Sequence, residues 1–472
     1  MRPRASAPPP VVLYTAGQLP AYLLPTLVGR LAGGAGLTPT QAGALGSTLL
    51  LASATVALLL AGRVAAVGPA RTARAGLALL ALGCALAATG PQLPLLTTAL
   101  AVAGLGAGAV TAVATTGIAG TSDPHRGTVR ALLATSGTAA GLYLLLPHLG
   151  SGTAAPFTAL ALAALAAAVP RSGRTGPVRA SERRMAKARA GAAPGGGTRG
   201  RATALVLAIP FWSMAQNALW GISGQLGHRQ AGLGESTLGL VFALALFGGL
   251  LGVTAAGVLG TRIGRTVPIG FGTLVIAGCA LLTGTARGPA AFTTGELLWN
   301  LLYPLVLSHL LGLAAALDPS GRRAVQTSAA SALGTACGPL TGATLASGVG
   351  YPGTGAVLAA LLALSAGPLV LAARPNAPRR PVGPRSAPGR PAWRRTTGRR
   401  CPATRPATAH LATQPTTHPA ARIPGQRRPA PSAHPEDRDA HRDIRRGARP
   451  DYAFSSARNS VSTSAPDGSS LT

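Results

Sequence analysis

The tetrapeptide GCAL at residues 83–86 recurs letter for letter at residues 278–281, an offset of 278 − 83 = 195. The same offset relates two further pairs of landmarks: Gly62 with Gly257, and Asp123-Pro124 with Asp318-Pro319. Three landmarks on one offset predict that residues of about 11–170 and 203–373 are two copies of one design. In a membrane protein, two similar halves indicate a transporter, because a site between halves that move against each other gives alternating access.

The two copies consist of long apolar runs with almost no charge inside them. Each run has roughly the 20 residues that a helix needs to cross the hydrocarbon of a bilayer. Six runs lie at about 11–29, 40–61, 74–90, 93–119, 128–149 and 153–169, and six more at about 203–226, 236–260, 267–286, 289–316, 324–348 and 354–373. The sequence therefore predicts an all-α integral membrane protein with twelve transmembrane helices in two pseudo-symmetric six-helix bundles.

The net charge of +31 is distributed unevenly among the loops. Arginines are frequent in the loops of one side and in the central linker, whereas the loops of the opposite side hold Arg30, Arg229 and Arg287. Because basic loops remain in the cytoplasm, both termini and the linker are expected there, with the plasma membrane as the location. Topology and contact with anionic lipid account for the charge, so a nucleic-acid partner is not expected.

Composition divides the chain into four segments. Residues 1–170 form the predicted N-terminal six-helix bundle, 171–202 a basic cytoplasmic linker, and 203–373 the C-terminal bundle. Residues 374–472 are rich in Pro, Arg, Thr and Ser, and we expect this basic tail to be disordered because it cannot bury enough apolar surface. The cysteines lack metal-ligand spacing and no phosphate-binding loop motif occurs, so no metal, cofactor or enzymatic activity is expected.

The segment GVLGTRIGRT at residues 257–266 connects the eighth and ninth apolar runs. It resembles the loop signature of the major facilitator superfamily, Gly-x-Leu-x-Asp-Arg-x-Gly-Arg-Arg. GRVAAVGPAR at residues 62–71 is a weaker copy in the first half, and Ala66 and Thr261 stand where the family has Asp. The resemblance implies that these loops gate the transporter through six residues: Gly62, Arg63, Gly257, Arg262, Gly264 and Arg265.

Two further motifs carry the resemblance. LTPTQAG at residues 37–43 looks like the family's Leu-Ser-Pro-x-Gln-x-Gly entry to its second helix, and GTACGPLTG at residues 334–342 matches Gly-x-x-x-Gly-Pro-x-x-Gly. In the family, the latter pattern in helix 5 marks drug/proton antiporters. Here it falls in the eleventh run, and the fifth run keeps only GTAAG at residues 137–141. The resemblance implies a small-molecule, efflux-like transporter that works as a monomer.

The family's first, fourth, seventh and tenth helices line a central cavity. In this chain the first and seventh runs each carry an aromatic–amide–aromatic trio: Tyr14, Gln18 and Tyr22, and Trp212, Gln216 and Trp220. A spacing of four drifts only about 40° per step around a helix, so each trio forms one stripe. Since amides in hydrocarbon need partners, we predict that the two stripes line the substrate cavity. The alternative is that the aromatic residues pack or anchor and the glutamines bridge helices.

A carboxylate lies inside the tenth run, at Glu296, with Asn300 one turn further on. Such a group is unstable in hydrocarbon unless it is protonated, paired or hydrated. Where the family's fourth helix has an Arg linked to proton coupling, this chain has Leu100. We predict that Glu296 binds and releases a proton, or binds a cationic group, with Asn300 beside it. A hydrated carboxylate near the outer mouth is the alternative.

These features together predict a secondary active transporter of small molecules. It is expected to export an amphipathic or cationic compound by alternating access, coupled to the entry of protons. An uncoupled facilitator or an uptake porter remains the alternative, because Leu100 and the two loop positions depart from the family pattern. A sensor or scaffold that presents the basic tail to partners is a more remote one.

Overall fold

The computed structural model describes residues 8–34, 36–169, 196–259, 263–317 and 322–374. Loop residue Arg262, most of the predicted linker and almost all of the predicted tail lie outside these ranges. The described residues are helical almost throughout, with a 3-10 turn at Leu146–Leu149. The helices are α1 Pro10–Tyr22, α2 Leu24–Gly34, α3 Pro39–Leu60, α4 Val64–Val67, α5 Pro69–Ala88, α6 Leu93–Ala119, α7 Pro124–Leu145, α8 Ala154–Ala168, α9 Gly196–Arg229, α10 Glu235–Leu259, α11 Thr266–Thr285, α12 Pro289–Leu317 and α13 Arg322–Ala373.

Local sequence explains where several helices begin. Thr38 and Gln41 form a reciprocal capping box at the start of α3, with Pro39 in its first turn. Asp123 caps α7 by accepting a hydrogen bond from the Arg126 backbone N–H at 3.0 Å. The glycine between α4 and α5, Gly68, has a φ of 99°, which L residues rarely adopt.

Length and hydropathy make these helices suited to a membrane. Within the described ranges, nine helices are long and apolar enough to cross it, and ten if the bent pair α1 and α2 forms one span. The apolar helix α8 is shorter, and α13 joins two helices across non-helical backbone at Gly350. The all-helical architecture of the prediction is confirmed. These counts do not establish twelve spans.

Helices from the first part of the chain pack directly on helices from the second. α3 lies against α13, α7 against α10, and α2 against α9. Small residues allow the close approach of α3 to α13: a Cβ added at Gly43 would lie 2.7 Å from the Pro339 carbonyl oxygen. The Ser47 hydroxyl accepts a hydrogen bond from the Leu340 backbone N–H at 3.0 Å across the same contact. The space enclosed by these helices contains the cavity described next.

Candidate substrate cavity

A cavity of about 780 Å³ lies between helices of the two parts of the chain. Its wall is formed by α1, α7, α9, α10 and α12, with Arg265 and Thr335 at its margins. No residue of α6 is among the described lining residues, although the family resemblance implied a contribution from the fourth apolar run. Most of the predicted cavity residues are in the wall: Tyr14, Gln18, Tyr22, Gln216, Trp220 and Asn300.

The remaining member of the predicted set, Trp212, lies behind the wall. Its side chain is fully buried and stacks on Tyr303, with 5.5 Å between ring centroids and 13° between planes. Tyr303 itself lines the cavity. Trp212 therefore supports the wall from behind, and any contact with substrate would pass through Tyr303.

Gln216 occupies a fixed orientation in the wall. The Trp299 indole N–H donates to its Oε1, and Trp299 also lines the cavity. On α1, the Gln18 amide donates to the Tyr14 hydroxyl at 3.3 Å. No local pattern singles out Trp299, because its role depends on where α12 meets α9.

Glu296 is fully buried and lies just outside the wall. Ser223 Oγ of α9 lies 2.5 Å from its Oε1, and the Asn300 amide donates to its Oε2 at 3.4 Å. Within the described part of the chain, no Lys, Arg or His forms an ion pair with Glu296. Ser223 was missed at the sequence level, although it follows Gln216 and Trp220 at helical spacing.

Four aromatic rings close the cavity at one end. Trp299, Trp220, Phe242 and Tyr143 follow one another with centroid separations of 5.8, 5.4 and 5.1 Å. We call this row the aromatic partition. It runs from α12 to α7, and therefore connects the two parts of the chain.

The aromatic partition also satisfies backbone groups freed by the bend between α1 and α2. Pro25 has no N–H to donate to the Ala21 carbonyl, and the Trp220 indole donates to that oxygen at 3.2 Å. The Tyr143 hydroxyl donates to the next carbonyl, that of Tyr22, at 2.7 Å. The bend of 41° is thus held by side chains from α9 and α7.

A second cavity, of about 290 Å³, lies on the far side of the partition. Arg30 and Glu235 line it and form an ion pair at 3.0 Å, with side chains 8% and 32% exposed. Arg30 also donates to three backbone carbonyls, those of Leu146, Gly150 and Gly152, at 2.9 to 3.1 Å. We refer to this side as the Arg30 end and to the opposite side as the Arg265 end.

The main cavity reaches the helix ends at the Arg265 end. His125 in the first turn of α7, Gly257 in the last turn of α10, and Arg265 before α11 all line it. Of the other predicted gating residues, Gly62 and Gly264 have φ values of 78° and 67°, and Arg63 is exposed. The positive φ values explain why glycine stands at these two loop positions.

Metal ligands do not cluster in the described ranges: no three His, Cys, Asp or Glu side chains there are placed to hold an ion. The polar groups of the cavity wall are amides, hydroxyls and indole N–H groups among aromatic rings, together with His125, Arg265 and His309. Such a surface binds and orients organic molecules, and it offers no set of nucleophile, base and oxyanion donors.

The fold is similar to that of three solved transporter structures. The human organic anion transporter MFSD10 (TETRAN) matches with a TM-score of 0.55 and 20% identity, covering 76% of this chain and 98% of that one. A POT family transporter in complex with a thioalcohol-conjugated peptide matches with a TM-score of 0.58 and 13% identity, covering 75% and 94%. A POT family transporter in complex with 5-aminolevulinic acid gives 0.59 and 12%, with the same coverage. At these identities the likeness shows the fold alone.

Sequence comparison is consistent with the structural match. No curated protein sequence matches the chain. The family model of the Major Facilitator Superfamily matches residues 11–333, which is more than half of the chain. The chain therefore belongs to the Major Facilitator Superfamily, and it is a multi-pass membrane transporter and not an enzyme.

Proposed function

We propose that this transporter exports small molecules in exchange for protons, and that Glu296 is the proton-binding group. The observation that carries the proposal is a fully buried carboxyl group beside the cavity wall, without a cationic partner among the described residues. A buried carboxyl group in a membrane helix is energetically unfavourable, and it commonly marks a proton or ion pathway.

Hydrogen bonding at Ser223 supports a protonated Glu296 in this conformation. The Ser223 oxygen lies 2.9 Å from the Leu219 carbonyl and 2.5 Å from Glu296 Oε1. The hydroxyl has one proton, and the carbonyl oxygen can only accept. Both contacts are satisfied together when Ser223 donates to Leu219 and a protonated Glu296 donates to Ser223. If Glu296 lost this proton, the single hydroxyl proton of Ser223 could be donated to the Leu219 carbonyl or to Glu296, but not to both.

Asn300 provides a connection from Glu296 to the cavity. It lines the cavity, and its amide donates to both the backbone oxygen and Oε2 of Glu296, at 3.0 and 3.4 Å. Asn300 therefore marks the side of Glu296 from which a released proton would reach the cavity. Substrate entering near Asn300 would disturb this route, which is how binding and proton release become coupled.

The two ends of the molecule fit one state of an alternating-access cycle. The main cavity reaches the Arg265 end, while the aromatic partition and the Arg30–Glu235 ion pair close the Arg30 end. We propose that the Arg265 end faces the cytoplasm of a plasma-membrane transporter that works as a monomer. Counting α1 with α2 as one span, adding α8 and dividing α13 at Gly350 would give the twelve spans of two related bundles.

The compounds named for structural neighbours of this protein support a small organic substrate. One structural neighbour is an organic anion transporter, and others are bound to a conjugated peptide and to 5-aminolevulinic acid. The peptide and 5-aminolevulinic acid both carry carbonyl groups that accept hydrogen bonds. Of the amphipathic or cationic compounds expected from the sequence, a cationic one would need a carboxylate in the cavity wall, and Glu296 lies behind that wall.

Proton movement tests the proposal. The purified protein in proteoliposomes, with a pH-sensitive dye on one side, is challenged with a panel of amphipathic compounds. We expect compound-dependent proton flux in the wild type and none in Glu296→Gln, because the amide resembles the protonated acid but cannot release a proton. Asp123→Asn is the matched control, since Asp123 is exposed and Asn caps a helix equally well.

Three results would change the assignment. Proton flux that persists in Glu296→Gln would remove Glu296 from the coupling step while keeping the antiporter. Labelled compound that equilibrates without proton flux would establish a facilitator, in line with the missing Arg at Leu100. No movement of any compound would contradict transport of amphipathic molecules altogether.

A further inference from the structure

The described wall of the main cavity contains basic side chains and no acidic ones. His125, Arg265 and His309 line it, and no Asp or Glu occurs among its described lining residues. An organic cation at the centre of this cavity would therefore have no carboxylate to pair with. An organic anion would meet the Arg265 guanidinium where the cavity reaches the helix ends. Charges removed from water need such partners, so the wall disfavours a cationic ligand.

Gln216 adds a hydrogen-bond donor that lacks an acceptor. The Trp299 indole N–H can only donate, so it fixes the Gln216 amide with Oε1 toward Trp299 and the NH₂ group away from it. Gln216 is 2% exposed, and its Nε2 has no partner among the described residues. A buried donor without an acceptor is unfavourable, so an acceptor supplied by a ligand would stabilise the site.

The remaining wall is aromatic. The rings of Tyr14, Tyr22, Trp220, Trp299 and Tyr303 all line the cavity. Flat apolar rings bind other rings by offset or edge-to-face contact. A volume of about 780 Å³ is within the range of sites for drug-sized ligands. The cavity is therefore suited to a compound that combines a ring system with a hydrogen-bond acceptor.

We propose that the main cavity selects aromatic carboxylates over aromatic cations of the same size, with the Gln216 amide donating to the carboxylate. This rests on the proposed transport function and names its substrate class. A carboxylate accepts hydrogen bonds and donates none, so it can accept from Gln216 Nε2. The Arg265 guanidinium, where the cavity reaches the helix ends, favours entry of an anion over a cation. The selection is an alternative to the amphipathic or cationic substrate expected from the sequence.

Three probes that share one ring system test the selection on the intact protein. Indole-3-acetate, indole-3-acetamide and tryptamine have the same indole and similar side-chain length, and they are anionic, neutral and cationic at neutral pH. Binding of each radiolabelled probe is measured by scintillation proximity on the full chain in lipid nanodiscs. We expect the anion to bind about tenfold or more tightly than the cation, with the neutral amide between them.

The variant Gln216→Glu tests whether the preference for the anion over the cation arises at Gln216. It keeps an oxygen for Trp299 and replaces the unpartnered NH₂ with a second oxygen. We expect the ratio of anion to cation affinity to fall by about tenfold or more. Gln326→Glu makes the same chemical change on an exposed residue beside Arg323, outside the cavity, and is expected to leave the ratio unchanged.

The wild-type ranking decides the inference even if the variant fails to fold. Equal binding of all three probes, tighter binding of tryptamine, or no binding of any probe would each overturn it. Transport is judged separately, by flux of the same probes in proteoliposomes. Preferred binding of the anion without flux would uphold the substrate class and overturn the proposed transport. Flux of other compounds without probe binding would uphold the proposed transport and overturn the substrate class.

Discussion

Arg30 shows how one side chain can hold a closed end together. Its guanidinium contacts three backbone carbonyls from the 3-10 turn and the loop before α8, as well as the Glu235 carboxylate at the start of α10. The carbonyl contacts lie within the first part of the chain, and only the ion pair reaches the second. Arg30 is buried whereas Glu235 is partly exposed, so the two partners contribute unequally.

The unequal burial predicts unequal effects of mutation. Glu235→Gln removes a partly exposed ion pair and should lower the free energy of unfolding by about 0.5–1 kcal/mol. Arg30→Gln leaves three carbonyls short of a charged donor and should cost about 2 kcal/mol or more. Thermal unfolding of both variants in the same detergent measures the difference. Equal losses of stability would mean that the carbonyl contacts contribute little.

Gly43 and Gly137 illustrate how helix packing assigns opposite roles to the same residue type. A Cβ at Gly43 would contact Ala343 and the backbone of Pro339, because α3 and α13 approach closely there. Gly137 on α7 is exposed, and a Cβ there would meet nothing within 4 Å. Close backbone approach, and not helix formation, explains the glycine in α3.

Alanine at these positions should therefore change stability in opposite directions. Gly43→Ala forces α3 away from α13 and should destabilise the protein by about 1–3 kcal/mol. Gly137→Ala restores helix propensity without a contact and should stabilise it by about 0.5–1 kcal/mol. Melting temperatures of the two variants provide the comparison. A stabilised Gly43→Ala variant would show that the α3–α13 contact is looser than described.

At the scale of the whole molecule, the two parts of the chain contact each other at the Arg30 end through side chains of several helices. Thr40 at the start of α3 and Ser347 in α13 place their hydroxyl oxygens 3.2 Å apart on this side. The aromatic partition lies deeper and separates the two cavities. Opening of this end would require the Thr40–Ser347 contact, the ion pair and the partition to separate together.

A disulfide across this contact tests whether such opening belongs to the transport cycle. The hydroxyl separation suggests that cysteines at both positions can bond with little movement of the backbone. We expect oxidised Thr40→Cys/Ser347→Cys protein to lose transport, and a reductant to restore it. Each single cysteine variant is the control. Full transport by the cross-linked protein would show that this end does not open.

Much of the candidate cavity could be predicted from periodicity. Tyr14, Gln18 and Tyr22 share a helical stripe, and Gln216 and Trp220 share another, so their positions in the wall followed from spacing. Trp212 lies eight residues from Trp220, as Tyr14 does from Tyr22, but Tyr303 of α12 stacks on it and stands between it and the cavity. Helix packing, and not spacing, therefore decides this position. That these residues contact a substrate stays a prediction.

Local chemistry allowed the sequence by itself to determine the helical, membrane-embedded fold, the capped helix starts and the glycine loops. Hydropathy, helical period and capping depend on neighbouring residues, so they can be read along the chain. The tertiary structure alone decided which distant groups meet. Arg30 and Glu235 are 205 residues apart, and Ser223 and Glu296 are 73 apart. Such contacts depend on how bent and kinked helices pack, and no local pattern encodes that packing.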